Sequence, residues 1–490
     1  MIGVGGAGIA VAFVLVAVLG LVHLLDGHLR YGGIGRQRRV QGAKWASGRD
    51  LRDLHVPKGE RERGRLVLGR RGRRLLATVG QASVVVVGPS RIANKTTGLT
   101  IPAVLEWDGP VVATSTKTDL LEATISHRRS LDGKVMVFDP TGLTGMGNVQ
   151  ATPLAACGSW RGAMRVAHLL TTSARPGGEG IEDADFWYAA AEKLLAPLLF
   201  AAASREGGQI ADVIAWLNDG TEAAESTVRE ELRKTECEEA LSAWRANLNR
   251  EPRQRSSIYT TAETVMRAFA DPRVLEASTR ADYTPAALLD GKANTLYLCG
   301  PAHEQERLRG LFAAMLSELV GVVYESAAAS GKPIDPALLM VLDEVANTAP
   351  MPELDVLAAT GAGQGIQLVT ALQDFSQAQA RWGKRAATML NNHQAKIFSP
   401  GTSDPATLDY VKAVVGDGEF RQHSETAAER GRGSSTEGST YRALTPANVV
   451  REGKPGSALL VYGHRPAARI EMRPWFEDSE LTEMVEGRTR

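Results

Sequence analysis

The sequence has 490 residues, 43% of them hydrophobic and 23% charged, and its 56 basic residues are balanced by 56 acidic ones. That composition excludes a disordered chain, and the length exceeds what one compact core usually holds, so two soluble domains are expected. Cys157, Cys237 and Cys299 lie far apart without metal-ligand spacing, which points away from a disulfide framework or a zinc site and fits a reducing cytoplasm.

The first 25 residues include "IGVGGAGIAVAFVLVAVLGLVHLL", which carries no formal charge and is long enough to cross a bilayer. No basic residue precedes it and Asp26, His28 and Arg30 follow directly, so a membrane anchor is favoured over a cleaved signal peptide. From His28 to Gly80 there are 15 Lys or Arg against 4 Asp or Glu, a net +11 hidden by the neutral total. The positive-inside rule then places the remainder of the chain in the cytoplasm, under the inner membrane. The basic stretch reads as a collar that contacts anionic lipid or nucleic-acid phosphates.

Beyond the collar, short β-branched runs alternate with helical stretches. "ASVVVVG", "GPVVATS" and "GKVMVFDP" read as three buried strands, and "NTLYLCGP", "ALLMVLDEV", "GIQLVTALQ", "AKIFSPG" and "SALLVYG" as five more. This is the rhythm of an α/β parallel sheet. Between the two groups the chain is almost wholly helical, with an acidic run at Glu222–Glu231 and a basic one at Asn249–Arg255. Residues Glu419–Tyr441 are polar and Gly/Ser-rich and read as a flexible loop. The expected division is an anchor (1–27), the collar (28–75), a nucleotide-binding domain in two parts (76–160 and 290–475), an all-α insertion (161–289) and a C-terminal tail (476–490).

The first strand breaks into "GPSRIANKTT", close to the phosphate-loop pattern G-x-x-x-x-G-K-S/T but one residue longer, with Asn94 in place of the second glycine. Main-chain N–H groups after Gly88, the Lys95 ammonium and the hydroxyls of Thr96 and Thr97 would serve a nucleotide's phosphates and its Mg²⁺. Asparagine is the best non-glycine choice where φ must be positive. "LLMVLDE" ends in Asp343 and Glu344, a carboxylate for the Mg²⁺ shell and a general base for an attacking water. Alone this pair is weak, because many strands end in solvated acids; it gains weight from the loop. Gln373, at the tip of the following strand, is placed to sense a γ-phosphate or orient water. ATP with Mg²⁺ is the cofactor these residues ask for.

At this point the chain resembles the type IV secretion coupling proteins, in an actinobacterial style. The resemblance is carried by "GAKWASGRDL", the loop and its continuation to "STKTDL", "DFWYAAAEKLLAPLL", "LYLCGPAHEQERLRGLF", the segment Val341–Gly383, and "MLNNHQAKIFSPGTSDPATLDYV". It implies a RecA-like P-loop motor with an inserted all-α domain and an N-terminal transmembrane helix. It further implies assembly as a homo-hexamer that couples single-stranded DNA with its relaxase to the secretion channel subunits during conjugation. It makes Lys95 and Thr96 the phosphate-loop residues, Asp343 and Glu344 the acidic pair and Gln373 the glutamine, and adds Lys117 and Asp119 as accessory residues. Ala362 stands where many members carry an arginine, and many members have two membrane helices. Two other readings stay open: a substrate-recruiting adaptor with a degenerate loop and little hydrolysis, and a septal-type double-stranded DNA pump, which the helical insertion disfavours.

Overall fold

A computed structural model describes residues 42–57, 64–90, 93–175, 182–426 and 434–488. The expected membrane helix and the collar before residue 42 lie outside the described residues. The described residues form two compact units, the larger made of those within 44–416 and 443–488, the smaller of residues 42–43, 417–426 and 434–442.

Thirteen strands are assigned among the described residues: β1 (Val67–Arg71), β2 (Arg74–Ala77), β3 (Val84–Val87), β4 (Val111–Ser115), β5 (Val135–Phe138), β6 (Thr295–Cys299), β7 (Leu338–Leu342), β8 (Ile366–Leu372), β9 (Ala395–Phe398), β10 (Asp417–Thr426), β11 (Ser434–Ala443), β12 (Ser457–Tyr462) and β13 (Ala468–Glu471). Eleven of them make one sheet in the order β2-β1-β13-β12-β9-β3-β8-β7-β4-β6-β5. From β9 to β5 every neighbouring pair is parallel. These strands read as unbroken apolar runs because both of their faces are covered: every residue of β3, β4, β7 and β8 is buried. Alternation sends Val85, Val87 and Met340 into one core and Val84, Val86 and Val341 into the other.

The eight strands read from sequence are all present. Residues 67–75, assigned to the collar by their arginines, are instead β1 and the start of β2, a pair that joins the main sheet through β13. Their charge hid an alternation in which Leu66, Leu68 and Leu76 are buried. Part of the basic excess is used internally: Arg70 pairs with Asp478 at 2.5 Å and Arg71 donates to Ala46 O at 2.8 Å. The segment Glu419–Tyr441, expected to be a flexible loop, carries β10 and β11, which pair as a two-stranded ribbon. Composition suggested a loop, but Arg442 stacking over Phe420 at 4.7 Å and Ala43 N–H donating to Asp417 O at 2.8 Å order the ribbon's base. The expected tail also folds. Its helix Ser479–Val485 buries Leu481 completely, and Arg473 bridges Asp478 at 2.7 Å and Glu106 at 2.5 Å.

The helical insertion leaves the sheet after β5 and returns at β6, through helices that include Trp160–Ala174, Glu182–Ser204, Ile210–Asp219, Glu222–Lys234, Glu238–Leu248 and Pro252–Met266. Its first helix starts where Ser159 accepts from Gly162 N–H, and it buries Ala163, Val166, Ala167 and Leu170 on one face. The two ends meet: Ala151 N–H donates to Ala277 O, and Asp282 N–H to Gln150 O, both at 3.0 Å. The acidic and basic runs face each other, with Glu225 and Arg255 3.1 Å apart. Among the described residues two stretches, Ala184–Ser204 and Ala302–Ser330, are long and apolar enough to cross a membrane. Their apolar sides are spent on the core, through residues such as Leu194, Leu198, Leu311 and Leu319.

His393, before β9, is wholly buried, with Nδ1 2.7 Å from Met389 O and Nε2 3.0 Å from Thr370 Oγ1. Burial pushes its pKa down to about 4, with Lys396 acting in the same direction and the Met389 hydrogen bond opposing. The folded value lies below the unfolded one, so the stabilisation is complete above the unfolded pKa of roughly 6.5 and is lost as pH falls toward 4. Between pH 6.5 and 5 the parent is expected to lose about 2 kcal/mol from this residue. Denaturant titrations of the parent and His393→Gln at both pH values check it: the difference between the two slopes against pH should carry that loss.

Candidate nucleotide site

The site sits on the carboxyl edge of the parallel strands, where their chains turn off into helices. β3 lies between β8 and β9, and all three tips are knitted together. Gly88 N–H donates to Leu372 O at 3.2 Å, and Ser399 N–H to Val87 O at 2.9 Å. Only glycine fits at position 88: a Cβ there would lie 2.7 Å from Ser399 Cβ and 2.9 Å from Ala93 Cβ.

The loop then turns through Asn94, whose φ is +46°. Among the described residues three non-glycines have such a φ, and two of them are Asn94 and Glu344, the latter at +49°. Each left-handed non-glycine costs on the order of 1–3 kcal/mol, a strain that accumulates at functional sites. Asparagine carries it at the least cost, which is why the chain can dispense with glycine here. The helix after the loop opens with a wide turn, Thr96–Thr100, whose first carbonyl accepts from Ile101 N–H, before settling into Ile101–Glu106. Wide turns of this type are frequent at functional sites.

Lys95 is buried, and its Nζ donates to Gly88 O at 2.7 Å and Leu372 O at 2.9 Å. Burial lowers its pKa, while the charges of Asp343, Glu344 and Asp374 act to raise it and that of Lys117 to lower it. Thr96 Oγ1 donates to Asp343 Oδ2 at 3.1 Å. Asp343 is held from behind, its main-chain oxygen accepting from Thr348 Oγ1 at 2.9 Å and Thr114 Oγ1 at 3.4 Å. Its second carboxylate oxygen, Oδ1, is buried with no hydrogen-bond partner. Burial pushes the Asp343 pKa up to about 6, with Lys95 opposing and Glu344 adding to the rise. A buried carboxylate with one oxygen on a threonine hydroxyl and the other unpaired offers the hard oxygen donors that Mg²⁺ takes from protein, the rest of its shell coming from water and phosphate oxygens. The residues present therefore fit Mg²⁺.

Of the remaining sequence candidates, Glu344 is half-buried and directly follows Asp343. Gln373 follows Leu372 and uses its N–H on Gln377 Oε1 at 3.2 Å. Thr97 is half-buried in the wide turn. Lys117 and Asp119 lie past the tip of β4, close enough that Asp119 raises the Asp343 pKa and Lys117 lowers that of Lys95. The structure brings Lys95, Thr96, Asp343 and Glu344 into one cluster. It adds Asp374 and Ser399, which sequence reading passed over. Asp374, beside Gln373, was visible as a helix cap, accepting from Gln377 N–H at 2.7 Å. Ser399 gave no signal, because only the β3–β9 pairing makes it a wall of the loop.

A family model described as type IV secretory system conjugative DNA transfer matches residues 44–489. Similar curated proteins include a conjugal transfer protein TraG of Rhizobium radiobacter, 24% identical over 424 residues, covering 80% of this chain and 62% of that protein. They also include a TraG of Escherichia coli, 26% identical over 402 residues and covering 77% and 62%, and a protein VirD4 of Rhizobium radiobacter, 23% identical over 421 residues and covering 83% and 59%. The chain thus spans about three-fifths of the length of these relatives. Among solved structures, the bacterial conjugative coupling protein TrwBΔN70 superposes with a TM-score of 0.66 at 17% identity, covering 89% of this chain and 93% of that one. TrwB in complex with the ATP analogue ADPNP gives 0.66 at 18% identity, covering 90% and 96%.

Proposed function

Because the chain belongs to the type IV secretory system conjugative DNA transfer family, we propose that it is a membrane-anchored ATPase that couples a DNA–relaxase substrate to a secretion channel and drives the DNA through it. The observation that carries this reading is the cluster of Lys95, Thr96 and Asp343 with one buried carboxylate oxygen left unpaired. A homo-hexameric ring at the inner membrane, its bulk in the cytoplasm, is the assembly proposed with it. In support, the related TrwB has been solved with ADP and Mg²⁺.

Each residue has a part in the proposal. Lys95 turns its ammonium from the carbonyls of Gly88 and Leu372 to the nucleotide's phosphates. The Thr96 hydroxyl and the Asp343 carboxylate would hold Mg²⁺. When bound, Mg²⁺ neutralises charge on the phosphoryl oxygens. Glu344 accepts the proton of the attacking water, and Gln373 orients that water. Thr97, Lys117 and Asp119 line the approach.

The test is an ATPase assay on the full chain, with and without single-stranded DNA, on the parent and Lys95→Ala. Parent hydrolysis stimulated by DNA is expected. Lys95→Ala should weaken ATP binding by at least about tenfold, since the phosphates lose a charge-assisted hydrogen bond worth roughly 1.5–3 kcal/mol. A parent that binds ATP and releases no phosphate would instead favour the recruiting adaptor.

A further inference from the structure

At the root of the helical insertion lies a slot of about 40 Å³ with mostly apolar walls. Leu311, Met315 and Glu318 line it from the helix Gln305–Ser330, at the spacing of one helical face, and Val166 and Leu170 line it from the helix Trp160–Ala174. Tyr283, where the chain leaves the insertion, completes the wall. We propose that the slot receives a lysine side chain of a partner protein, its aliphatic stem along the apolar walls and its ammonium between the Glu318 carboxylate and the Tyr283 hydroxyl. No residue of the slot belongs to the nucleotide cluster, so the proposal stands apart from the phosphate-loop reading.

Two polar groups without partners carry the argument. Tyr283 is 6% exposed, and its hydroxyl is buried with no hydrogen-bond partner. Among the described residues no hydrogen bond or ion pair reaches Glu318, which is only half-buried. Burial raises the Tyr283 pKa and the Glu318 charge adds to the rise, so the phenol and the carboxylate are neighbours that do not bond to each other. Each unpaired buried polar group is costly, and a carboxylate more so than a hydroxyl. An ammonium has three donors and the complementary charge, and can satisfy both at once.

The nearest cation is committed elsewhere. Burial raises the Glu318 pKa and Arg165 opposes the rise, so Arg165 is close enough to act on it. Its Nη1, however, donates to Glu325 Oε1 at 3.0 Å.

Size and access select the occupant. Small-molecule sites measure roughly 300–1,000 Å³, far more than this slot, whereas the end of one unbranched side chain or a few waters fits it. Arginine's planar fork is broader than a compact ammonium. The exposed Ala155 and the half-buried Glu318 leave the slot open to solvent. Thr152 before the insertion, Tyr283 at its end and the helix that follows β6 all contribute, so a partner seated here would touch the insertion's root and the motor together.

The experiment is ligand-observed NMR titration of the full chain in detergent with two blocked pentapeptides, one carrying a central lysine between alanines and one carrying Nε-acetyl-lysine there. The lysine peptide should bind with a dissociation constant on the order of 1 mM, and the acetylated one should not bind measurably. Glu318→Gln should weaken the lysine peptide at least about tenfold, through loss of a charge-assisted hydrogen bond, and Tyr283→Phe a few-fold. Glu263→Gln, an exposed carboxylate outside the slot, should leave binding unchanged. Because it removes an unpaired charge, Glu318→Gln should also unfold at a temperature no lower than the parent's. The proposal is overturned if the parent binds neither peptide, if it binds both alike, or if Glu318→Gln and Tyr283→Phe bind the lysine peptide like the parent. It is equally overturned if Glu263→Gln weakens binding as much as Glu318→Gln, which would mean attraction to acidic surface in general. A lower unfolding temperature for Glu318→Gln would show that Arg165 already satisfies the carboxylate, and overturns the site as well.

Discussion

Glu344→Gln is expected to lower the rate of ATP hydrolysis by about 10²–10⁴-fold while leaving ATP affinity within a few-fold of the parent. The two carboxylates at the end of β7 are adjacent in sequence but differ in surroundings. Asp343 is buried, hydrogen-bonded to Thr96 and anchored through its main chain by Thr114 and Thr348. It is built to hold a cation in one position. Glu344 is half-buried and carries a left-handed backbone at φ +49°, ψ 43°, which turns the chain sharply at the sheet edge. Glutamine keeps the length and the hydrogen-bonding shape of glutamate but cannot take a proton from water, so the substitution removes the base and spares the phosphate and cation contacts. Rates of phosphate release and calorimetric ATP affinities, measured on the same preparations, give the two readouts. A variant that keeps more than about a tenth of the parent rate would remove Glu344 from the base role. A variant that loses ATP affinity in proportion to rate would make it a binding residue instead.

The parts of this molecule that could be read from sequence share one property: their signal is local. β3, β4, β7 and β8 are buried on both faces, so each announces itself as a short β-branched or aliphatic run. The cluster of Lys95, Thr96 and Asp343 was legible because a lysine–hydroxyl pair after one strand and an acidic pair after another must meet if both strands are parallel in one sheet. What escaped depends on distant chain. β1 and β2 hold their place by pairing that ends on β13, where Arg70 meets Glu471 from the far end of the chain, and their arginines masked the apolar alternation. The ribbon of β10 and β11 is mostly polar and pairs as a separate two-stranded sheet, which composition does not report. The length of the phosphate loop was visible, but its accommodation was not. That required knowing that Asn94 takes a positive φ and that the following helix opens with a wide turn.

Arg128→Met is expected to destabilise the fold by about 3–5 kcal/mol, because four buried oxygens lose their donors at roughly 1–3 kcal/mol each, offset in part by no longer burying a charge. Arg128 lies on the helix Asp119–Ser130, is 0% exposed, and has no acidic partner among its hydrogen bonds. Its guanidinium is satisfied by oxygens alone: Nε donates to Thr295 Oγ1 at 2.7 Å, Nη1 to Trp107 O, and Nη2 to Gly109 O at 2.8 Å and Ala293 O at 2.9 Å. Burial pushes its pKa down to about 10, so it stays charged at neutral pH. Trp107 and Gly109 lead into β4, while Ala293 and Thr295 mark the return of the chain from the helical insertion into β6. One side chain thus fastens the root of the insertion to the motor sheet. Methionine fills most of the volume but leaves three buried carbonyls and a hydroxyl without donors, and each unpaired group costs roughly 1–3 kcal/mol, offset in part by no longer burying a charge. Lysine should recover only a fraction, because a single ammonium cannot reproduce the planar fork that reaches both strands. Denaturant unfolding of the parent, Arg128→Met and Arg128→Lys measures this directly, with the order parent, Lys, Met expected. A loss below about 1 kcal/mol for Arg128→Met would mean that water or neighbouring side chains take over the carbonyls, and that β4 and β6 hold the insertion's root without this clamp.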